Sequence, residues 1–461
     1  MTLITTDNNC GIAIEDPKII EDLRHIADCS LDSLKDQGGH NLWLFPPKGD
    51  RYDDKIQDEC ILNITGNTIT TGNIMGFVGY GGTELTIRSR FSNKDGNDWF
   101  MQYMLQKVFA INIFDLKHTT NSENSLDIAA LMLPYFLQKA LSQGLYREYA
   151  VKQYNDSRVR GVLNISRHIK ENFPFKNCKI AYSTREYTYD NSITQLVRHT
   201  IEHIRTKKAS AAAVLYSSSE TQANIKQIID ATPSFRKSDL NKVILANLRP
   251  KIHPYYSEYR PLQRLCLQIL RNERLSYGSE SEKIHGILFD GAWLWEEYLN
   301  LTFAKAGYQH PENRTGKGKL LVFKNRKKYP RYPDFIKNNT IADAKYKVLL
   351  KHNNDLIYDD LSRDDLNQMI TYLHITSSNT GIFVNPINFS IINPENGEFF
   401  PDTAFCARVG ELYGDSGTIY IIGMNIPQEC KTYKEFVEHM ANNERVLQMK
   451  LMEIVPDFTI A

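Results

Sequence analysis

The sequence predicts a multidomain α+β protein, with a small β-rich domain first, a mainly helical middle and an α/β domain last. Three observations carry this reading. Short alternating apolar segments separated by turn residues fill the start of the chain. Apolar residues spaced three and four apart dominate the middle, and strand and helix patterns then mix to the end. The period changes near 95 and 280, which gives a β-rich domain over 1–95, a helical domain over 96–280 and an α/β domain over 281–461. A chain of 461 residues has ample length for three separate cores.

In the first domain NLWLF (41–45), residues 61–64 and residues 74–87 read as strands, divided by PPKGD, TGN and YGG. Within TELTIRSRF, Leu85 and Ile87 point one way and Thr86 and Arg88 the other, the two-residue period of a half-buried strand. From Asp98 the period lengthens, and 99–114 and 126–154 read as two substantial helices. RVRGVLNISRHIKENF (158–173) reads as a strand pair or as a strand and a helix. Amphipathic helices follow over 193–208 and 260–275, with a shorter one over 237–248. The last domain opens with a helix over 292–307, then a basic loop and a hairpin over 331–347. A helix over 364–375, strands at 379–387 and 418–426 and a closing helix over 432–454 complete it.

Composition excludes several classes. Hydrophobic residues at 42% and charged residues at 24% are those of a globular, water-soluble chain. The formal net charge of +1 gives no global electrostatic case for nucleic acid, although a local basic surface needs none. The start lacks a basic then apolar leader, and no apolar run reaches about 18 residues, so neither a signal peptide nor a membrane span is expected. The seven cysteines at 10, 29, 60, 178, 266, 406 and 430 are odd in number, dispersed and without a CxxC pair. That spacing argues against a disulfide framework and a zinc site, and points to a reducing cytoplasm. No GxxxxGKS/T element is present, so the chain supplies no P-loop.

The chemistry concentrates in RYPDFIKNNTIADAKYK (331–347). Asp343 and Lys345 stand two apart and so share one face of a strand. That spacing alone says little, because Asp16/Lys18, Asp53/Lys55 and Asp115/Lys117 repeat it. The surroundings add weight. Asn338 and Asn339 form a turn, and Pro333-Asp334 opens the preceding strand, so the hairpin brings Asp334 toward Asp343. Two neighbouring carboxylates are costly unless a positive charge lies between them, and an oxygen-preferring divalent cation suits that place.

Two helices supply further candidates. Trp293, Leu294, Tyr298 and Leu299 form the apolar set of 292–307, which leaves Glu296 and Glu297 for a site, with Glu296 preferred and Glu297 the alternative ligand. Gln368 and Tyr372 are four apart and lie on one helical face. Plainer roles compete at each position. Glu296 fits the solvated side of a helix, Asp334 a turn acid, Gln368 a surface residue, Tyr372 a core residue, and Asp290 a helix N-cap. The run 316–331 carries Lys324, Arg326, Lys327, Lys328 and Arg331, a surface for DNA phosphates or simply a solvated edge. Tyr329 and Tyr332 interleave with it and suit stacking on a displaced base.

These residues resemble the motifs of the McrC family, the nuclease component of McrBC-type modification-dependent restriction systems. LFDGAWLWEEYL resembles the family's LFD and acidic helix and aligns Glu296 with the first acid of the PD-(D/E)XK nuclease fold. YPDF supplies the second acid, Asp334, and IADAKYK supplies Asp343 and Lys345. DDLNQMITY resembles the QxxxY element of RecB-like members, at Gln368 and Tyr372. Upstream, RVRGVLNISRHI is similar to the family's Arg-Gly segment at Arg160-Gly161, and the likeness spans about 150–425.

The resemblance implies a catalytic set of Glu296, Asp334, Asp343, Lys345, Gln368 and Tyr372. It implies Mg2+ held by Glu296, Asp334, Asp343 and the carbonyl of Ala344. It also implies double-stranded DNA, modified or not, as substrate, and a separate McrB-like AAA+ GTPase oligomer as partner. The N-terminal and helical regions would then engage that motor and stimulate its GTPase. A non-catalytic adaptor of the motor and a stand-alone RecB-like repair nuclease are the alternatives.

Overall fold

The computed structural model describes residues 2–30, 33–34, 42–45, 60–93, 96–109, 130, 132–174, 178–207, 213–216, 218–249, 253–275, 284–311, 318–347, 351–352, 355–356, 361–387, 391–392, 399–400, 405–414 and 417–454. The chain forms two compact units, residues 1–110 with 280–461, and residues 111–279.

The first unit contains two five-stranded sheets. One has the order Thr2–Thr6, Thr83–Arg88, Ile74–Tyr80, His285–Asp290, Leu42–Phe45. Its apolar face, with Val78, Leu85, Ile87 and Leu288, closes over the short helix Pro17–Arg24 through Ile20 and Leu23. Burying each such side chain contributes about 1.5–3 kcal/mol. The expected division at 95 and 280 differs from this packing. The strand His285–Asp290 pairs on one side with Ile74–Tyr80 and on the other with Leu42–Phe45, so the β-rich start and the region after 280 share one core. The physical cause lies in HGILFD, whose continuous apolar run suits a strand buried on both faces.

The second sheet has the order Phe335–Lys337, Thr340–Ala344, Thr380–Ile387, Thr418–Asn425, Phe405–Glu411. Its first pair is antiparallel, a tight hairpin turned by Asn338 at φ 47°. The next two pairs are parallel and therefore need long connections. The helix Arg363–Thr376 is the crossover between Thr340–Ala344 and Thr380–Ile387, with Met369, Tyr372 and Leu373 facing the sheet core. The helix Gly291–Lys305 follows directly from the first sheet's strand. Asp290 caps it by accepting the Ala292 N–H at 2.9 Å, as expected. Trp295 anchors this helix by donating its indole N–H to the Val384 carbonyl at 3.2 Å, and Phe303 stacks on Phe335 at 4.2 Å between centroids. The helices Trp99–Val108 and Tyr433–Ile454 pack beside it, where Glu444 accepts from Tyr298 at 3.0 Å and Tyr103 at 2.8 Å.

The second unit holds the helices Leu133–Ser142, Ser192–Lys207, Ser219–Ala231, Leu240–Asn247 and Tyr259–Leu275 around one core. It also holds a three-stranded antiparallel sheet, ordered Glu148–Asp156, Ile180–Thr188, Val162–Leu163. The helix expected over 126–154 is corrected here. Its described part ends at Ser142, Gly144 adopts φ +89°, and residues 148–156 pair with 180–188 along their whole length. Residues 126–129 of that expectation, and 110–114 of the helix before it, lie outside the described residues. Among the described residues no helix is long and apolar enough to cross a membrane.

Candidate active site

Asp343 and Lys345 sit at the end of the Thr340–Ala344 strand, where the polypeptide leaves the sheet beside the two flanking helices. They share a face, as the two-residue spacing predicts. Lys345 Nζ lies 2.5 Å from Asp343 Oδ2, and Asp343 is only 3% exposed. Oδ2 is buried, and the ammonium of Lys345 is its close partner. Folding back the hairpin brings in Asp334, whose Oδ2 accepts the Ala344 N–H at 2.8 Å. Burial first, then the charges of Glu296 and Asp343, push the Asp334 carboxyl well above the usual carboxylate range, against the pull of the Ala344 N–H and Lys345. Glu296 and Asp343 are therefore each close enough to act on Asp334 electrostatically.

The two glutamates of the helix part company. Glu297 accepts the Trp293 indole N–H at 3.1 Å, one turn away on its own helix. Glu296 lies on the side of Asp334, with its Oε1 3.8 Å from His310 Nε2. His310 in turn contacts the Asp334 carbonyl through Nδ1 at 2.8 Å.

The lysine is held from three directions. Its Nζ donates to Gln368 Oε1 at 3.1 Å and pairs with Asp365 Oδ1 at 3.1 Å as well as with Asp343. Burial works against the ammonium, but Asp343, Asp365 and Asp334 outweigh it and hold its pKa above the ordinary lysine value. Gln368 Nε2 donates to the Tyr372 hydroxyl at 2.6 Å, and that hydroxyl donates to the Tyr332 carbonyl at 2.8 Å. A chain of hydrogen bonds thus runs from the ammonium to the backbone just before Pro333-Asp334. Tyr372 is buried, and burial followed by the charges of Asp343 and Asp334 raises its phenol, which stays a donor.

Two contributors went unread in the sequence. Asp365 is buried, bridges Lys345 and Lys347 (2.6 Å), and keeps a lowered pKa because these cations and Ser362 outweigh the effect of burial. It stands three residues before Gln368 and so on the same helical face, a signal masked because acids are ordinary in a helix's first turn. His310 carried no signal, since only the tertiary fold brings it to the hairpin.

An all-oxygen set of three carboxylates suits a hard divalent cation. The donors fit such an ion chemically, since the Asp343 carboxylate is buried and the Asp334 carboxyl is raised by burial first and then by the like charges of Glu296 and Asp343. They are not drawn tightly together, however. Among the described residues, the one set of three such side chains with all ligand atoms within 4.8 Å of one another is Cys430, Glu435 and His439.

The expected basic surface forms a β-hairpin of Leu320–Phe323 and Arg326–Arg331. Lys324, Arg326, Lys328 and Tyr329 are exposed, while Arg331 and Tyr332 are half-buried. The side chain of Lys327 lies outside the described residues. In the second unit Gly161 crosses the Ile180–Thr188 strand so closely that a Cβ would stand 2.1 Å from the Ser183 carbonyl oxygen, so the glycine of Arg160-Gly161 is a packing requirement.

Residues 69–386 match the family described as McrBC 5-methylcytosine restriction system component. No curated protein matches the sequence. Among solved structures, a refined half-complex of Thermococcus gammatolerans McrB AAA+ hexamers with bound McrC is 16% identical, with 96% of this chain and 100% of that chain covered and a TM-score of 0.46. The cryo-EM structure of the Thermococcus gammatolerans McrBC complex is 13% identical, covering 68% of this chain and 90% of that one, with a TM-score of 0.34.

Proposed function

This chain belongs to the McrBC 5-methylcytosine restriction system component family, and from that premise we propose that it is the Mg2+-dependent DNA endonuclease subunit of such a system, with a PD-(D/E)XK site. The observation that carries the reading is the buried Asp343–Lys345 pair on one strand face, with Asp334 and Glu296 beside it and Gln368 on the ammonium.

Glu296, Asp334, Asp343 and the Ala344 carbonyl would hold the cation. Mg2+, when bound, lowers the pKa of a water ligand and offsets charge on phosphoryl oxygens. Lys345 faces the same space, where it orients the attacking water or donates to the phosphate. Gln368 and Tyr372 keep that ammonium in place, and Asp365 keeps it charged. The Arg326–Arg331 strand lies next in the chain to Asp334 and presents Arg326 and Lys328 to the duplex backbone. Contacts of that kind add affinity that falls steeply with salt.

The second unit supplies the surface for a separate AAA+ GTPase, whose hydrolysis this chain stimulates. Support comes from its small sheet and adjoining helix, which expose Tyr149, Val151, Val162, Ile165 and Phe173, with Val162 at 75%. Apolar side chains in such number on one small substructure mark an interaction surface.

The test is reconstitution of the chain with its GTPase, GTP, Mg2+ and methylated or unmethylated DNA. Asp343→Ala and Lys345→Ala should each abolish cleavage and leave GTPase stimulation near wild type. Full cleavage by either purified variant would sink the assignment. The looser spacing of the three carboxylates favours a second reading, a non-catalytic adaptor of the motor. Titration of Mg2+ separates the two, because an adaptor yields no nicks at any concentration.

A further inference from the structure

We propose that Cys430, Glu435 and His439 form a second metal site, separate from the carboxylate cluster and suited to a borderline cation such as Zn2+. Their ligand atoms all lie within 4.8 Å of one another. In a tetrahedral zinc sphere, bonds of about 2.0–2.3 Å set neighbouring donors roughly 3.5 Å apart. Small side-chain adjustments therefore close the set.

The local sequence explains the convergence. After the strand Thr418–Asn425 the backbone turns, and Thr432 starts the C-terminal helix by accepting the Glu435 N–H on its hydroxyl at 3.2 Å. Glu435 and His439 are four apart and share a helical face over the first turns. Cys430 stands just before the cap, buried and in no disulfide, while both helical ligands are half-buried. Glu435 Oε2 already accepts the Lys431 N–H at 2.8 Å, which leaves Oε1 for a monodentate bond.

The donor chemistry chooses the ion. A thiolate and an imidazole beside one carboxylate disfavour Mg2+ and Ca2+, which prefer oxygen throughout, and favour zinc-like metals. Three protein ligands leave a fourth position for water. The dispersed cysteines of the sequence argue against a zinc site; the proposed set runs against that expectation because it takes one member from each ligand type. Its position suggests a clamp. Gln428, two residues before Cys430, donates to the Phe91 carbonyl at 3.2 Å and accepts from Asn93 at 3.4 Å. Tyr433 donates to Gln106 at 2.6 Å. An ion joining Cys430 to the C-terminal helix fixes this loop where it meets the end of the N-terminal sheet and the helix Trp99–Val108.

The experiment titrates metal-free, full-length chain with Co2+, followed by displacement with Zn2+. A thiolate-to-cobalt charge-transfer band should saturate at one equivalent, yield to Zn2+ and resist a large excess of Mg2+. Cys430→Ser should remove the band. His439→Ala should weaken Co2+ binding on the order of 100-fold or more, since even outer-shell partners of a metal carry roughly 10–100-fold. Cys178→Ser, an exposed cysteine of the other unit, should change neither. The unfolding midpoint of each metal-free variant confirms that it is folded. Absence of the band in folded wild type, or a band that survives both Cys430→Ser and His439→Ala, overturns the site and leaves Glu435 as a helix-capping acid.

Discussion

Replacing Lys345 by Met isolates the electrostatics of the carboxylate cluster. The ammonium lies 2.5 Å from Asp343 and 3.1 Å from Asp365, and Asp343 is almost wholly enclosed. Met keeps much of the side chain's volume and removes its charge, so Asp343 is left beside Asp334 and Glu296 with no counter-charge of its own. Removing one partner of a buried pair costs about 3–5 kcal/mol. The unit concerned, residues 1–110 and 280–461, has about 290 residues. An unfolding entropy of roughly 2.1 cal/mol/K per residue then gives about 0.6 kcal/mol/K, so the midpoint in EDTA should fall by about 5–8 °C. The double variant Asp343→Asn/Lys345→Met removes both charges and should return to within about 2 °C of wild type, because a buried pair contributes little beyond its own compensation. Mg2+ should partly restore the single variant. At roughly ten times its dissociation constant an ion adds about 1.4 kcal/mol, or about 2 °C here. Thermal melts followed by circular dichroism, with EDTA and with Mg2+, provide the readout. A single variant that melts with wild type refutes the premise that the ammonium compensates a buried charge. A double variant as unstable as the single assigns the loss to packing instead.

Three further predictions follow from neighbouring groups. Tyr372→Phe breaks the hydrogen bond to the Tyr332 carbonyl and Gln368→Ala frees one side of Lys345; each should lower the rate of DNA cleavage by about 10–100-fold, roughly the effect of losing an outer-shell partner, while leaving affinity for DNA unchanged in a binding assay. Glu296→Gln should abolish Mg2+-dependent cleavage and Glu297→Gln should retain it, since Glu297 is engaged by Trp293; the reverse order in a nicking assay would exchange their roles. The Asp98 carboxyl at the start of Trp99–Val108 is pushed up to about 7 by burial, despite the N–H groups of Ser89 and Met101. The folded chain therefore holds this proton more tightly than the unfolded one. That stability is full below about pH 4 and is lost as pH rises through about 7, roughly 4 kcal/mol in all at about 1.4 kcal/mol per pH unit. Asp98→Asn should flatten the denaturation midpoint across that window.

Much of the site was legible in the sequence because it depends on local periods. Asp343 and Lys345 share a face through strand alternation, Gln368 and Tyr372 through the helical repeat, and Asp334 follows from a tight hairpin with two asparagines as its two-residue turn. In the fold the two glutamates differ in surroundings, with the Trp293 indole on Glu297 and His310 beside Glu296. What stayed hidden is long-range. His310 reaches the hairpin only by tertiary packing. The strand Glu148–Asp156 looked helical because its apolar residues admit both periods, and only its partner 180–188 decides between them. HGILFD could not be assigned to the N-terminal sheet, since its neighbours there lie some 200 residues earlier.

That last strand has a consequence for how the protein is made. As the chain leaves the ribosome, Leu42–Phe45 and Ile74–Tyr80 emerge with open edges and must wait for His285–Asp290 to fill the place between them. At roughly 5–20 residues per second the delay is about 10–40 s, during which residues 111–279 can complete their own core. Asp290 both ends that strand and caps the helix bearing Glu296. The strand that closes the first sheet and the helix that carries Glu296 therefore emerge together in synthesis.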